Sequence, residues 1–277
     1  MELASEIRAD VARALAEDIG TGDVTARLVP ENEIAHARVI TREDAVLCGS
    51  AWFEECHKQV DRNIAVTWQA RDGEKLRANQ LICELRGSAR GMLTAERCSL
   101  NFLQTLSAVA TKTRLFADAV KGTGAAILDT RKTLPGLRTA LKYAVRCGGG
   151  TNHRMGLYDG VLIKENHIAA AGGVGPVLRK ASAQAPGIPV EIEVENLDQL
   201  RDALANGAKL ILLDNFDLDL LRQAVAINSG RAALEASGGI NLDTVRAIAE
   251  TGVDRISIGS LTKDVRAVDL SMRFQPS

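Results

Sequence analysis

The chain has almost no net charge. Its 34 Lys and Arg face 35 Asp and Glu, a formal balance of -1, so no global field draws it to nucleic acid or to a membrane surface, and any anion must be held by local clusters. Cysteine is scarce and unpaired in pattern. Cys48, Cys56, Cys83, Cys98 and Cys147 are odd in number, widely spaced and without a Cys-x-x-Cys, which argues against a disulfide framework or a zinc site and predicts reduced thiols in a cytoplasmic protein. The acidic start, Met1 to Glu6, lacks the basic and then apolar plan of an export signal. No apolar run approaches the roughly 18 residues that a membrane span needs, and neither an internal repeat nor a low-complexity tract is present.

What is present is an ordinary globular composition, 46% hydrophobic and 25% charged, on a chain of 277 residues, long enough for one large core or two smaller ones. Leu3, Ile7, Val11 and Leu15 recur at steps of four and predict an amphipathic first helix. Ala35 to Thr41, Ile64 to Trp68 and Leu81 to Leu85 read as strands, with Asp72-Gly73 as a turn. A helix follows from about Leu93 to Val120. The first part, residues 1–110, is therefore expected to be an α+β domain.

The rhythm then changes. Short apolar strands at Ala126 to Asp129, Gly160 to Lys164, Val190 to Val194, Leu210 to Asp214, Ala232 to Glu235 and Arg255 to Gly259 alternate with helical patterns, which predicts a parallel sheet of the α/β class over residues 111–265. A doubly wound sheet and a β/α barrel both fit this order. The barrel is preferred because chemically distinctive residues end almost every strand, and a barrel builds its site on that rim.

Those residues are unevenly charged. The first strand ends in Asp129-Thr130-Arg131-Lys132-Thr133, where a guanidinium fork suits a carboxylate and a compact ammonium suits a phosphate. Cys147-Gly148-Gly149-Gly150-Thr151-Asn152-His153-Arg154 reads as a loop over a ligand, and Lys164-Glu165-Asn166-His167 adds a further cation, with His167 beside a helix cap as the alternative to a direct role. Glu191, Glu193 and Glu195 alternate along one strand and Asp214 ends the next. Their mutual repulsion predicts a cation partner, with magnesium on a polyphosphate the natural one; the alternative is that only Glu193 or Glu195 reaches the site while the rest form structural ion pairs. Ser237-Gly238-Gly239 and Ile258-Gly259-Ser260 offer bare backbone amides to a phosphate at the late strands. No serine or cysteine has a base partner, so the pattern points to positioning and charge stabilisation rather than covalent catalysis.

Taken in order, Glu17 to Thr25, Leu93 to Arg97, Asp129 to Thr133, Asn152 to Arg154, Leu162 to His167, Leu213 to Phe216 and Ser237 to Ile240 make the whole chain resemble the quinolinate phosphoribosyltransferases. The resemblance implies an N-terminal α/β sandwich, joined by residues 266–277, followed by an open, incomplete β/α barrel. It implies a homodimer or dimer-based oligomer in which Arg97 of one subunit completes the neighbour's pocket. It also implies that Arg97, Arg131, His153, Arg154 and Lys164, with Thr130 and Lys132 beside them, hold quinolinate, and that Lys132, Glu193, Asp214, Ser237 to Gly239 and Ile258 to Ser260 hold phosphoribosyl pyrophosphate. Glu193 and Asp214 would face its Mg2+. The expected reaction gives nicotinate mononucleotide, pyrophosphate and carbon dioxide. A same-fold transferase for another ring, or a barrel that only senses a metabolite, would differ at the second arginine and at the paired carboxylates respectively.

Overall fold

The structure is a computed structural model that describes residues 3–184 and 186–275. In chain order it contains α1 (Leu3–Ile19), β1 (Ile34–Thr41), β2 (Ala45–Val46), α2 (Ser50–Val60), β3 (Ala65–Trp68), β4 (Lys75–Leu76), β5 (Leu81–Ser88) and α3 (Ala89–Ala119). There follow β6 (Ala126–Leu128), α4 (Arg138–Cys147), β7 (Val161–Ile163), α5 (Glu165–Ala171), α6 (Val174–Gln184), β8 (Val190–Val194), α7 (Leu197–Ala205) and β9 (Leu210–Asp214). The chain ends with α8 (Leu218–Asn228), β10 (Ala233–Ser237), α9 (Val245–Ala249), β11 (Arg255–Ser257), α10 (Ser260–Lys263) and β12 (Leu270–Phe274).

Two compact units emerge, one of residues 1–114, 134–149 and 262–277, the other of 115–133 and 150–261. The sequence reading put α4 in the barrel range because it lies between two barrel strands in chain order. Its contacts put it in the first unit, where a Cβ on Gly148, just after the helix, would fall 2.5 Å from the Ala110 carbonyl oxygen and from Thr113 Cβ.

In the first unit β12-β1-β5-β3 form an antiparallel sheet, with β12 supplied by the end of the chain. Ala37, Val39, Ile82, Leu85 and Met272 from the sheet join Phe53 of α2 and Met92, Leu100 and Leu103 of α3 in one buried cluster. Burying such side chains is worth about 1.5–3 kcal/mol each and ties the layers together. On α1 the stripe Ile7, Val11 and Leu15 is buried as its spacing predicts. Asp10 is buried within it because Trp52 Nε1–H donates to its Oδ2 at 3.1 Å and Arg13 pairs with it.

The second unit settles barrel against doubly wound sheet. Its six parallel strands lie in the order β6-β11-β10-β9-β8-β7, so chain neighbours are sheet neighbours from β7 to β11, and the first strand sits beside the last. A doubly wound sheet reverses direction part-way, whereas placing first against last is what closing a barrel requires. Closure stops between β6 and β7, the two ends of the strand order; the free edge of β6 is met instead by a parallel bridge from Leu128 to Thr151 in the loop between α4 and β7. Along these strands one face carries Ile192, Val194, Ile211, Leu213, Leu234, Ala236 and Ile256, all buried under the helices. The opposite, interior face carries Glu191 and Glu193, Leu212 and Asp214, Glu235 and Ser237, and Arg255 and Ser257. Side-chain caps start two of the covering helices: Asn196 accepts from Gln199 N–H and Asp217 from Leu220 N–H.

Candidate active site

The interior face of the second unit is polar at two depths. At the floor, His153 Nε2 lies 2.8 Å from Glu191 Oε2 and 3.6 Å from Glu235 Oε1, while Arg255 Nε lies 3.2 Å from Glu235 Oε2. Glu235 is fully buried and Glu191 nearly so, and neither Glu235 oxygen nor Glu191 Oε1 has an aligned hydrogen-bond partner, although Ser257 lies close to Glu235. Burial and the neighbouring Glu191 charge push the Glu235 carboxyl up to about 7, against the pull of His153 and Arg255. Burial alone would push His153 down, but the Glu191 hydrogen bond and the two carboxylate charges together raise it.

His153 is held by the backbone as well. Buried Asp129 accepts from Asn152 Nδ2 at 2.5 Å and from His153 N–H at 2.9 Å, and His153 Nδ1 accepts Arg154 N–H at 2.8 Å. That last contact leaves the Nε2 proton for Glu191 in the neutral ring. Asp159 fixes the far side of the same loop by accepting from Met155 N–H and Gly156 N–H.

Nearer the rim the cations gather. Arg154 Nη1 donates to the Gly160 carbonyl at 2.9 Å, and its pKa is lowered first by burial and then by the nearby Arg131 charge. Two guanidiniums from different loops are thus held close enough to repel, which is the arrangement a dianion relieves. Lys164 Nζ meets Glu193 Oε2 at 2.7 Å, with the lysine side chain 45% exposed and the glutamate 11%. Lys132 N–H donates to Thr130 Oγ1, and both side chains lie over Gly259, where a Cβ would come within 3.2 Å of Lys132 Cδ and 3.5 Å of Thr130 Oγ1. The loop after β6 and the glycine turn after β11 therefore share one place.

At the neighbouring strand ends Asp214 pairs in register with Ser237 and accepts from Asn215 Nδ2 at 2.9 Å. Asn215 adopts a left-handed φ of 56° and donates its N–H to the Ser237 carbonyl. Gly238, at φ 107°, packs so closely on it that a Cβ would fall 2.1 Å from Asn215 Oδ1. Gly239 is also left-handed, and Ile258 and Ser260 flank Gly259 at the start of α10.

The matches to known proteins cover both units. The model of the quinolinate phosphoribosyl transferase N-terminal domain matches residues 23–107, and that of the C-terminal domain residues 109–273. The chain belongs to the quinolinate phosphoribosyl transferase family. It is 42% identical over 258 residues to the probable nicotinate-nucleotide pyrophosphorylase [carboxylating] of Bacillus subtilis, covering 92% of this chain and 89% of that one. The Mycobacterium leprae nicotinate-nucleotide pyrophosphorylase [carboxylating] is 42% identical over 275 residues, 96% of each. Among solved structures, the nicotinate-nucleotide pyrophosphorylase of Francisella tularensis superposes with a TM-score of 0.97 at 47% identity, covering 99% of this chain and 98% of that one. The expected family and fold, a mixed N-terminal part and an α/β barrel, are those of the molecule.

Within this family's barrel, Thr130, Arg131, Lys132, His153, Arg154, Lys164, Glu193, Asp214, Ser237, Gly238, Gly239, Ile258, Gly259 and Ser260 all lie on the second unit. Arg97 lies on α3 in the first unit, its side chain 61% exposed and 3.9 Å from Glu96. Of the three alternating glutamates, Glu195 falls beyond the end of β8 and is exposed, so the strand presents two carboxylates, not three. His167 is a helix-start residue whose Nδ1 accepts Lys164 N–H at 3.0 Å. Sequence reasoning passed over Asp129 as an anchor, and Glu235 with Arg255 altogether. The available signal was a glutamate inside the apolar run Ala233-Leu234-Glu235-Ala236, since a lone charge in a buried strand needs a partner.

No helix among the described residues is long and apolar enough to cross a membrane.

Proposed function

We propose that this chain transfers the phosphoribosyl group of phosphoribosyl pyrophosphate to quinolinate, with decarboxylation, to give nicotinate mononucleotide, pyrophosphate and carbon dioxide in the de novo route to NAD. The observation that carries the reading is that both units match the quinolinate phosphoribosyl transferase family, with Arg131, Arg154 and Lys164 all on the barrel unit to receive two adjacent carboxylates of one ring.

Arg131, Arg154 and Lys164, with His153 behind them and Thr130 and Lys132 beside them, orient the pyridine so that its nitrogen lone pair faces the ribose anomeric carbon. Ser237 to Gly239 and Ile258 to Ser260 offer backbone amides to the 5-phosphate, where a side chain on Gly238 would collide with Asn215. As the nitrogen–carbon bond forms, pyrophosphate leaves with the electrons of the carbon–oxygen bond. The bond to the 2-carboxylate then breaks, its electron pair stays on the ring carbon beside the positive nitrogen, and a proton quenches it. Glu193 and Asp214, hard oxygen donors at the ends of adjacent strands, fit a magnesium ion that arrives on the polyphosphate, since such ions keep one or two carboxylates plus substrate phosphates. Bound there, the ion would supply charge neutralisation for the departing pyrophosphate.

We assign the chain to a homodimer or dimer-based oligomer in which Arg97 of one subunit completes its neighbour's quinolinate pocket; its exposure on α3 supports this. Arg97→Ala and Arg154→Ala subunits, each impaired at low quinolinate, should then recover activity at low quinolinate when mixed, because each mixed pair regains one intact site.

The primary test is release of carbon dioxide from carboxyl-labelled quinolinate, with and without phosphoribosyl pyrophosphate and magnesium, while following nicotinate mononucleotide. Dependence on both additions is the expected result. Pyrophosphate formation with another pyridine or a pyrimidine, and no release from quinolinate, would overturn the substrate.

A further inference from the structure

The first unit contains a cluster that takes no part in the pyridine chemistry. Cys48, between β2 and α2, and Cys147, the last residue of α4, are distant in sequence, yet their Sγ atoms and an Asp72 carboxylate oxygen all lie within 4.8 Å of one another. Cys48 is fully buried and Cys147 partly exposed. Both are free thiols.

Asp72 is committed elsewhere. Its Oδ2 accepts Gly49 N–H at 3.0 Å and the Tyr143 hydroxyl at 2.9 Å, and its Oδ1 accepts Ser50 N–H at 3.2 Å. The carboxylate therefore anchors the start of α2 and the Tyr143 ring of α4, and in doing so it holds the two sulfur-bearing segments side by side. Cys48 is pinned at its backbone too, where its N–H and C=O both bond the Ser107 hydroxyl at 3.0 and 3.1 Å.

The two sulfurs differ in character. Donation from the Cys48 thiol lowers the pKa of Cys147, and the Arg146 charge assists, against burial and the Asp72 charge. Burial pushes Cys48 well up. A partly exposed sulfur with thiolate character next to a buried thiol is the division of labour between an attacking and a resolving cysteine. The remaining cysteines lack it: burial pushes Cys56, Cys83 and Cys98 up, the last to about 11.

We propose that Cys48 and Cys147 are a hydroperoxide-responsive thiol pair that closes to a reversible disulfide. The Cys147 thiolate attacks the outer peroxide oxygen; the O–O bond breaks and the leaving oxygen takes up a proton, leaving Cys147 as a sulfenic acid. The Cys48 sulfur then attacks the Cys147 sulfur, the S–OH bond breaks, and the hydroxyl departs as water with the Cys48 proton. Two thiols are oxidised by two electrons in total and one hydroperoxide is reduced. The S–S bond of about 2.0 Å closes from sulfurs that already lie within 4.8 Å of one another. Cys147 leads through Gly148 to Gly150 into Thr151 to Arg154, so the crosslink fixes the root of the segment that carries His153 and Arg154.

The test exposes the native chain to hydrogen peroxide, blocks remaining thiols with iodoacetamide and maps the peptides without reduction. A Cys48–Cys147 disulfide peptide that disappears on treatment with dithiothreitol is expected, with Cys56 and Cys83 still alkylated as thiols after unfolding. In Cys48→Ser the same exposure should leave a sulfenic acid on Cys147 that dimedone captures. Oxidation of Cys98 ahead of Cys147, or conversion of Cys147 to the sulfinic acid with no crosslinked peptide in the wild-type chain, overturns the proposal. The wild-type map stands whether or not the variant folds.

Discussion

The floor and the rim of the barrel use the same residue types for different ends. On β8 Glu191 and Glu193 are two residues apart and share a face, yet Glu191 meets His153 beside a second buried carboxylate, Glu235, while Glu193 meets Lys164 at the edge of solvent. Water screens the rim pair and gives it little hold on stability. At the floor Glu191 and Glu235 are buried away from the surface, so removing one partner leaves a buried ion uncompensated. Depth along one strand thus separates a pair that maintains the fold from a pair available to a ligand.

The largest effect should come from breaking the floor. His153→Ala leaves Glu191 and Glu235 facing one another, which costs about 3–5 kcal/mol by the usual penalty for an unpaired buried charge. Urea unfolding measures it. A loss below ~1 kcal/mol would mean that the floor behaves like the rim and that depth is not what distinguishes them.

A pH titration sharpens the same point. The Glu235 carboxyl is raised from the usual 4.5 to about 7, so the folded chain binds a proton that the unfolded chain has already released, and the stability this group contributes is full below pH 4.5 and is lost as pH rises towards 7. The raised His153 acts in the same direction above its ordinary 6.5. Glu235→Gln keeps the shape of the protonated acid and cannot ionise. Relative to the wild type it should gain up to ~3 kcal/mol between pH 4.5 and 7, measured as the difference between the two urea midpoints across that range. Parallel pH curves for the two proteins would show that Glu235 does not titrate in the folded chain.

At the rim the expected change is in binding. Arg154→Ala should raise the quinolinate KM by roughly 30-fold or more, since one partner of a charge pair is worth about 2 kcal/mol at the low end. Its Gly160 contact is a single hydrogen bond, so stability should fall by only about 1 kcal/mol. Unchanged quinolinate affinity in a folded variant would remove Arg154 from the pocket.

The rim was more legible in the sequence than the floor for a physical reason. Arg131, Lys164 and Asp214 stand where an apolar run stops and Arg154 closes a glycine-rich loop, and features of both kinds are visible in one dimension. The preference for a barrel rested on those same strand ends, and the strand order agrees with it. Glu235 and Arg255 are strand residues; Arg255 reaches Glu235 from the neighbouring strand and His153 reaches it from the loop between α4 and β7, an encounter that only the folded sheet creates. The third glutamate misled for a related reason: alternation assigns Glu195 to the same face as Glu191 and Glu193, but β8 ends at Val194 and the chain turns into α7. β12 was equally hidden, since Leu270–Phe274 becomes a strand only because β1 offers it an edge. The proximity of Cys48 and Cys147 had no sequence signal at all.

The smallest stability effect separates the two depths most cleanly. In Lys164→Ala the lost partner of Glu193 is a lysine nearly half exposed, and the glutamate left behind lies where water reaches it, so the cost should be about 0.2–1 kcal/mol and should shrink further in high salt. The same substitution should weaken quinolinate binding, because Lys164 follows β7 on the barrel unit that carries both arginines. Urea unfolding at low and high salt, run beside a quinolinate titration, tests both halves. A stability loss of 3 kcal/mol or more that salt does not reduce would place Lys164–Glu193 with the floor, as a fold-maintaining pair, and would leave the two arginines as the pocket's main cations.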